Sequence, residues 1–154
     1  MAAETIRELI EVNVADSLTV IRRGAGFSVD LNTICPWKTS EFNPLELAAA
    51  AVYFTDDYMA PERRSLPFEY RYAGATVELW DARPLRDEDI RPKLNGMMGD
   101  VYKALMADPT RGGRALDTEY GNVGTMIFKT QIAVQVAFLI KYRFLYKDPT
   151  GPTQ

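Results

Sequence analysis

The chain has 154 residues, 47% of them apolar and 25% charged, with a net charge of −3 and no histidine. That length suits one domain over residues 1–154, able to bury about 70% of the surface its unfolded form exposes. The acidic balance argues against a general nucleic-acid binder, which carries a basic stripe, and the missing histidine removes histidine bases, histidine-activated nucleophiles and histidine metal sites together.

The single cysteine, Cys35, has no partner for an internal disulfide, so a reducing compartment is the simpler reading. With no histidine to activate it, Cys35 reads as a packing residue rather than a reactive one. The opening MAAETIRELI carries acids and lacks the apolar core of a secretory signal. No window nears the ~18 apolar residues of a membrane-spanning helix, so a chain made in the cytoplasm, with no membrane partner, is expected.

A first helix is predicted over about 5–23, because Ile6, Ile10, Val14, Leu18 and Ile21 fall on one face. Gly24 and Gly26 supply its stop. Phe27, Val29 and Leu31 alternate with polar residues at strand period, and Pro36 and Pro44 bracket a loop holding Trp37 and Phe42. A short turn near Asn43–Glu46 precedes a small-residue strand from about Ala49 to Thr55, closed by an acidic turn at Asp56-Asp57. An arm at about 56–68, a loop or an extended hairpin, carries Arg63 and Arg64. Phe68 to Ala82 is strand-like, with Gly74 marking a bulge or bend.

A second helix is predicted over about 89–107, its start fixed by Asp87-Glu88-Asp89 and by Pro92, which is tolerated only in the first turn. Leu94, Met98, Val101 and Leu105, flanked by Met97, form its buried stripe. Gly96 and Gly99 each lower propensity by roughly 1 kcal/mol relative to alanine, which close packing against a neighbour would explain. Asp108-Pro109 closes the helix, and Gly112-Gly113 makes a turn with exposed arginines, Arg111 and Arg114. A short edge strand over 114–120 leads to a turn at Gly121–Gly124. The closing strand, about 131–147, places Val134, Val136, Phe138, Ile140, Tyr142, Phe144 and Tyr146 on one parity, with Lys141, Arg143 and Lys147 on the other. The tail 148–154 reads as frayed. The expected fold class is α+β: a mixed, mainly antiparallel sheet flanked by two main helices.

No chemistry-bearing motif stands out. The Arg111-Gly112-Gly113-Arg114 run follows a helix, whereas a phosphate loop precedes one. Asp56-Asp57 and Asp87-Glu88-Asp89 lack the ligand spacing of a calcium loop and read as a solvated turn and a helix N-terminus. Lys141-Tyr142-Arg143-Phe144 suggests a stacking surface for nucleic acid, but strand parity sends these aromatics and bases to opposite faces. No catalytic, cofactor-binding or metal-binding residue is assigned, and no enzymatic activity is expected.

The order of elements, with IRELIEVNVADSLTVI at the start, DVYKALMADPTRGGRAL after the second helix and IAVQVAFLIKYRFLYKDP at the close, resembles the tail terminator (tail completion) proteins of long-tailed bacteriophages and related tail-like particles. The resemblance covers nearly the whole chain. It implies a virion protein of the neck, assembled as a homo-oligomeric ring, typically a hexamer. Such a ring caps the tail tube protein, ends tube polymerisation and meets a head-side stopper or connector. DNA passes its lumen without sequence-specific binding, and a mixed or mildly acidic lumen would not trap phosphates. Asp108, Pro109, Gly112 and Gly113 match the family's turn after the second helix, and Tyr142 and Arg143 its closing strand, all in structural roles. A head–tail stopper or joining protein shares the ring logic, and a non-viral adaptor domain or a small carboxylate-based enzyme are the remaining alternatives.

The physics of edges fits a ring, because an uncovered edge strand invites pairing and cyclic head-to-tail packing satisfies it. Seventeen extended residues span about 56 Å, beyond the ~40 Å diameter of a domain this size. The closing strand must therefore bend, be broken by a bulge, or reach past its own subunit. Arg63, Arg64, Arg111, Arg114, Phe144 and Tyr146 are the expected contacts with a neighbouring subunit or the tube.

Overall fold

The computed structural model describes the backbone of residues 5–37, 40–65 and 68–145, and their side chains except at 56–65, 144 and 145. Helix α1 (Ile6–Leu18) opens on a capping box: the Thr5 hydroxyl accepts from the Glu8 amide at 3.1 Å, and the Glu8 carboxylate accepts from the Thr5 amide at 2.7 Å. Ile6, Ile10, Val14 and Leu18 are buried, as is Ile21 beyond the helix end. The helix stops short of the expected residue 23. A 3-10 turn over Arg23–Ala25 follows, ending at Gly26, whose φ of 90° is left-handed.

The alternating segment 27–32 is not a strand. Its polar groups go elsewhere: Ser28 donates its amide to Asp100, Asp30 accepts from the Arg23 amide, and the Leu31 amide donates to Ile21. Val29 and Leu31 are nevertheless buried, so the alternation marks core-facing coil. Pairing begins only with β1 (Thr33–Cys35).

Four long strands complete one sheet: β2 (Ala49–Ser65), β3 (Phe68–Ala82), β4 (Asp117–Ile127) and β5 (Gln131–Leu145). Their order is β1-β2-β3-β5-β4, with β1 parallel to β2 and every other pair antiparallel. With α2 (Ile90–Met106) the class is α+β, mixed and mainly antiparallel. The β3–β5 ladder runs unbroken from Phe68↔Leu145 to Ala82↔Gln131.

Two expected turns are in fact strand. Asp56-Asp57 lies within β2, at a register shift between Phe54 and Asp57. Gly74 faces that bulge while its own strand stays regular. Residues 121–124 lie within β4, where the register shifts between Tyr120 and Val123. Gly121 is needed there, because a Cβ would stand 3.2 Å from the Ala137 Cβ and 3.3 Å from its carbonyl oxygen. The chain reverses instead at 128–130, where the Phe128 amide donates to Gln131. Positions 146–147 of the closing strand and the tail 148–154 lie outside the described residues.

Both helices cover one face. Ala50 and Val52 of β2, Ala73, Ala75, Val77 and Leu79 of β3, and the even positions Ile132 to Tyr142 of β5 meet Ile10, Val14 and Leu18 of α1 and Leu94, Met97, Val101 and Leu105 of α2. Met97 is the buried member of its pair and Met98 the half-buried one. Each fully buried aliphatic side chain of this set contributes about 1.5–3 kcal/mol. A smaller cluster sits on the opposite face, where Phe42, Ala49, Ala51 and Ala133 surround Trp80. Phe42 meets Trp80 edge-on at 6.0 Å, and Phe128 stacks on it at 5.4 Å. The Gln131 amide clamps the loop by bonding both the amide and the carbonyl of Phe42. Among the described residues no helix is long and apolar enough to cross a membrane.

Candidate assembly surfaces

The turn after α2 is built by Asp108. Its carboxylate accepts from the Thr110 amide and hydroxyl (3.0 and 2.6 Å) and from the Gly112 amide (2.8 Å). These bonds, led by the Thr110 hydroxyl, hold the carboxyl below its ordinary pKa. Arg111, Gly112 and Gly113 then take φ of 50°, 70° and 84° in succession. The glycines adopt such angles readily, whereas Arg111 needs compensation.

That compensation corrects an expectation. Arg111 is not an exposed contact residue: it is 0% exposed. Its guanidinium turns back under α2 and donates to the Leu105 and Asp108 carbonyls, and to the Ser17 hydroxyl of α1 at 3.3 Å. Burial pushes its pKa down, and Asp108 opposes that shift. It therefore serves the helix C-terminus, whose last carbonyls have no partners within the helix. Arg114 is half-buried; its Nη1 donates to the Gly112 carbonyl at 2.9 Å. With Ile6, Leu116 and Arg143 it lines a hollow of about 190 Å³.

Arg63 and Arg64 lie in the outer part of β2, with Arg64 opposite Glu69, and Phe144 pairs with Glu69 from the β5 side. All three belong to the far end of the β2–β3–β5 arm, but their side chains, and Tyr146 altogether, lie outside the described residues. Tyr142, one step nearer the helices, is 0% exposed and packs within its own subunit.

The face away from the helices carries two features that reading β5 alone misses. Lys141 and Arg143 point there, as parity requires, but so do Phe68 and Tyr70 of the paired strand: Arg143 lies 4.2 Å over the Phe68 ring and Lys141 5.9 Å over Tyr70. Bases and aromatics thus share a face through neighbouring strands. Further along it, Glu78 is 0% exposed. Its carboxylate accepts from Tyr53 Oη (3.1 Å), Trp80 Nε1 (3.1 Å) and Gln135 Nε2 (3.0 Å). Burial and then Glu78 push the Tyr53 phenol above its usual pKa. A carboxylate flanked by Val77 and Leu79 in an alternating strand was the available signal. Among the described residues no group of three or more cysteine or carboxylate side chains is placed to hold a metal ion.

Among the described residues the sheet ends in two edges with no further strand beside them. Beta-1 pairs with β2 only at Ala49–Ala51, so from Val52 onward no strand among the described residues flanks β2. Beside this edge runs a groove of about 650 Å³ whose apolar wall includes Val12, Ile34, Trp37, Val52 and Phe54. Arg7 and Asp16 lie on its rim, and Arg7 donates to the Thr55 carbonyl at 2.7 Å. Trp37 and Val12 are 63% and 56% exposed. At the opposite edge β4 exposes Tyr120, Val123 and Ile127. These three pair with Phe138, Val136 and Ile132, so they stand on the helix-covered face. Tyr120 meets Tyr102 of α2 at 4.2 Å, and burial raises its phenol pKa.

Neither the protein-family models nor the curated protein sequences compared with this chain give a match.

Proposed function

We propose that the chain is a structural subunit that closes into a ring with copies of itself and caps the tail tube of a phage or tail-like particle, as a tail terminator. The observation that carries the proposal is the pair of sheet edges that have no neighbouring strand among the described residues, each bordered by exposed apolar side chains. A lone subunit with two such edges is prone to open-ended pairing, and cyclic head-to-tail closure removes both at once. The resemblance in element order and in the closing segments supplies the particular assembly. In this reading the partners are the tail tube protein and a head-side stopper or connector. DNA crosses the lumen, and the protein resides in the virion neck. The protein acts by binding, with no catalytic step.

Native mass spectrometry and negative-stain imaging of the purified chain test the assembly, a closed ring being expected. Deleting the gene tests the role. Overlong tails are the expected result, whereas tails of normal length without heads would identify a head–tail joining protein instead.

A further inference from the structure

We infer that the ring joint is a continued β-sheet, in which the β4 edge of one copy seats against the β2 edge and the α1–β2 groove of the next. The inference rests on the ring reading for its occupant, a second copy of this chain.

Strand direction permits it. Beta-2 and β5 both run antiparallel to β3, and β4 runs antiparallel to β5. Placing β4 beside β2 of an identically oriented neighbour therefore makes an antiparallel pair, in which backbone bonds run straight across. Beta-1 occupies the β2 edge at Ala49–Ala51, so the pairing is confined to Asp117–Val123 of β4, level with Tyr58–Val52 of β2.

The apolar side chains match in layer and in height. Followed across the ladders, Val123 lies level with Val136, Val77 and Val52, and Tyr120 with Phe138, Ala75 and Phe54. Both ends of each row stand on the helix-covered face. Tyr120 and Val123 of β4 thus arrive where Val52, Phe54 and Val12 form the wall of the groove.

The test uses the full chain with Cys35→Ser and two added cysteines, Val12→Cys and Val123→Cys, treated with a short bismaleimide. In one subunit β2 and β4 stand three strand spacings apart, about 14 Å, with Val12 beyond the β2 edge, so the short linker joins the pair only between copies. A ladder of covalent multimers that climbs to the ring number is expected, with neither single-cysteine variant giving more than dimers. A ring by native mass spectrometry without that ladder overturns the joint and leaves the ring reading intact. A chain that stays monomeric at high concentration overturns both.

Discussion

Arg111 Nη1 lies 3.3 Å from the Ser17 hydroxyl, so a side chain from the turn after α2 is seated against α1. The same guanidinium serves two carbonyls at the end of α2. Arg111→Ala should leave those groups buried without donors and lower stability by about 2–4 kcal/mol. Arg111→Lys should recover only part of this, because an ammonium lacks the planar fork. Urea denaturation measures both. A loss below about 0.5 kcal/mol for the alanine variant would show that the staple contributes little.

Gly96 and Gly99 share one helix face but not one environment. A Cβ at Gly96 would meet Ser28 Oγ at 3.0 Å, and Ser28 is held by a 2.7 Å bond to Asp100, whereas at Gly99 nothing stands within 4 Å. Gly99→Ala should therefore stabilise the protein by about 1 kcal/mol through helix propensity. Gly96→Ala should fall short of that gain or destabilise, since the helix and the Ser28 loop must part. Thermal melts of the two variants should shift in clearly different amounts; equal shifts would contradict this packing account.

Glu78 answers three donors in a dry part of the sheet. Glu78→Ala should cost about 3 kcal/mol, because the Trp80 indole and the Gln135 amide lose their shared acceptor. Tyr53→Phe should cost about 1 kcal/mol and remove one late-titrating phenol from the ultraviolet titration. The Tyr53 phenol is raised above 10.0, so its contribution to stability is fully present below that pH. It is lost as pH rises through the folded value. Alkaline unfolding identical in wild type and Tyr53→Phe would refute the assignment.

Asp108 works in the opposite direction. Its carboxyl is held below 3.8, first by the Thr110 hydroxyl and then by the Gly112 amide. The stability it lends is complete above that pH and disappears as pH falls through the lower, folded value. Asp108→Asn should therefore weaken the protein at neutral pH and flatten the acid limb of its stability profile. Chemical denaturation at pH 7 and at pH 3 provides the comparison, and parallel curves for the two proteins would rule the linkage out.

Much of the fold was legible in residue spacing. The stripe Ile6, Ile10, Val14, Leu18 and Ile21 is buried as its period demands, and so is the even parity of β5 from Ile132 to Tyr142. These signals are strong because each element buries one face continuously. The misreadings fall where local chemistry admits two outcomes. Gly121 and Gly124 look like a turn, yet a glycine also serves a bulge pressed against Ala137. Phe27, Val29 and Leu31 keep strand period, but the Asp100 carboxylate captures the Ser28 amide that a ladder would need.

Of the expected contact residues, Arg111 shows the limit most clearly. An arginine between a proline turn and two glycines reads as exposed, and only the distance between the ends of α1 and α2 turns it inward. The basic and aromatic side chains teach the same lesson, since parity within β5 separates them and pairing with β3 brings Lys141 and Arg143 over Tyr70 and Phe68.

The sequence by itself determined the two helices, the long strands β3 and β5, the face each would bury and the α+β class, because side-chain periodicity is a local property of the backbone. Only the tertiary structure decided which strands neighbour one another and which stand at the edges of the described sheet. It also decided whether a charged residue such as Glu78 or Arg111 meets water or protein. Those outcomes depend on contacts between residues far apart in the chain, and no local pattern encodes the strand order that creates them.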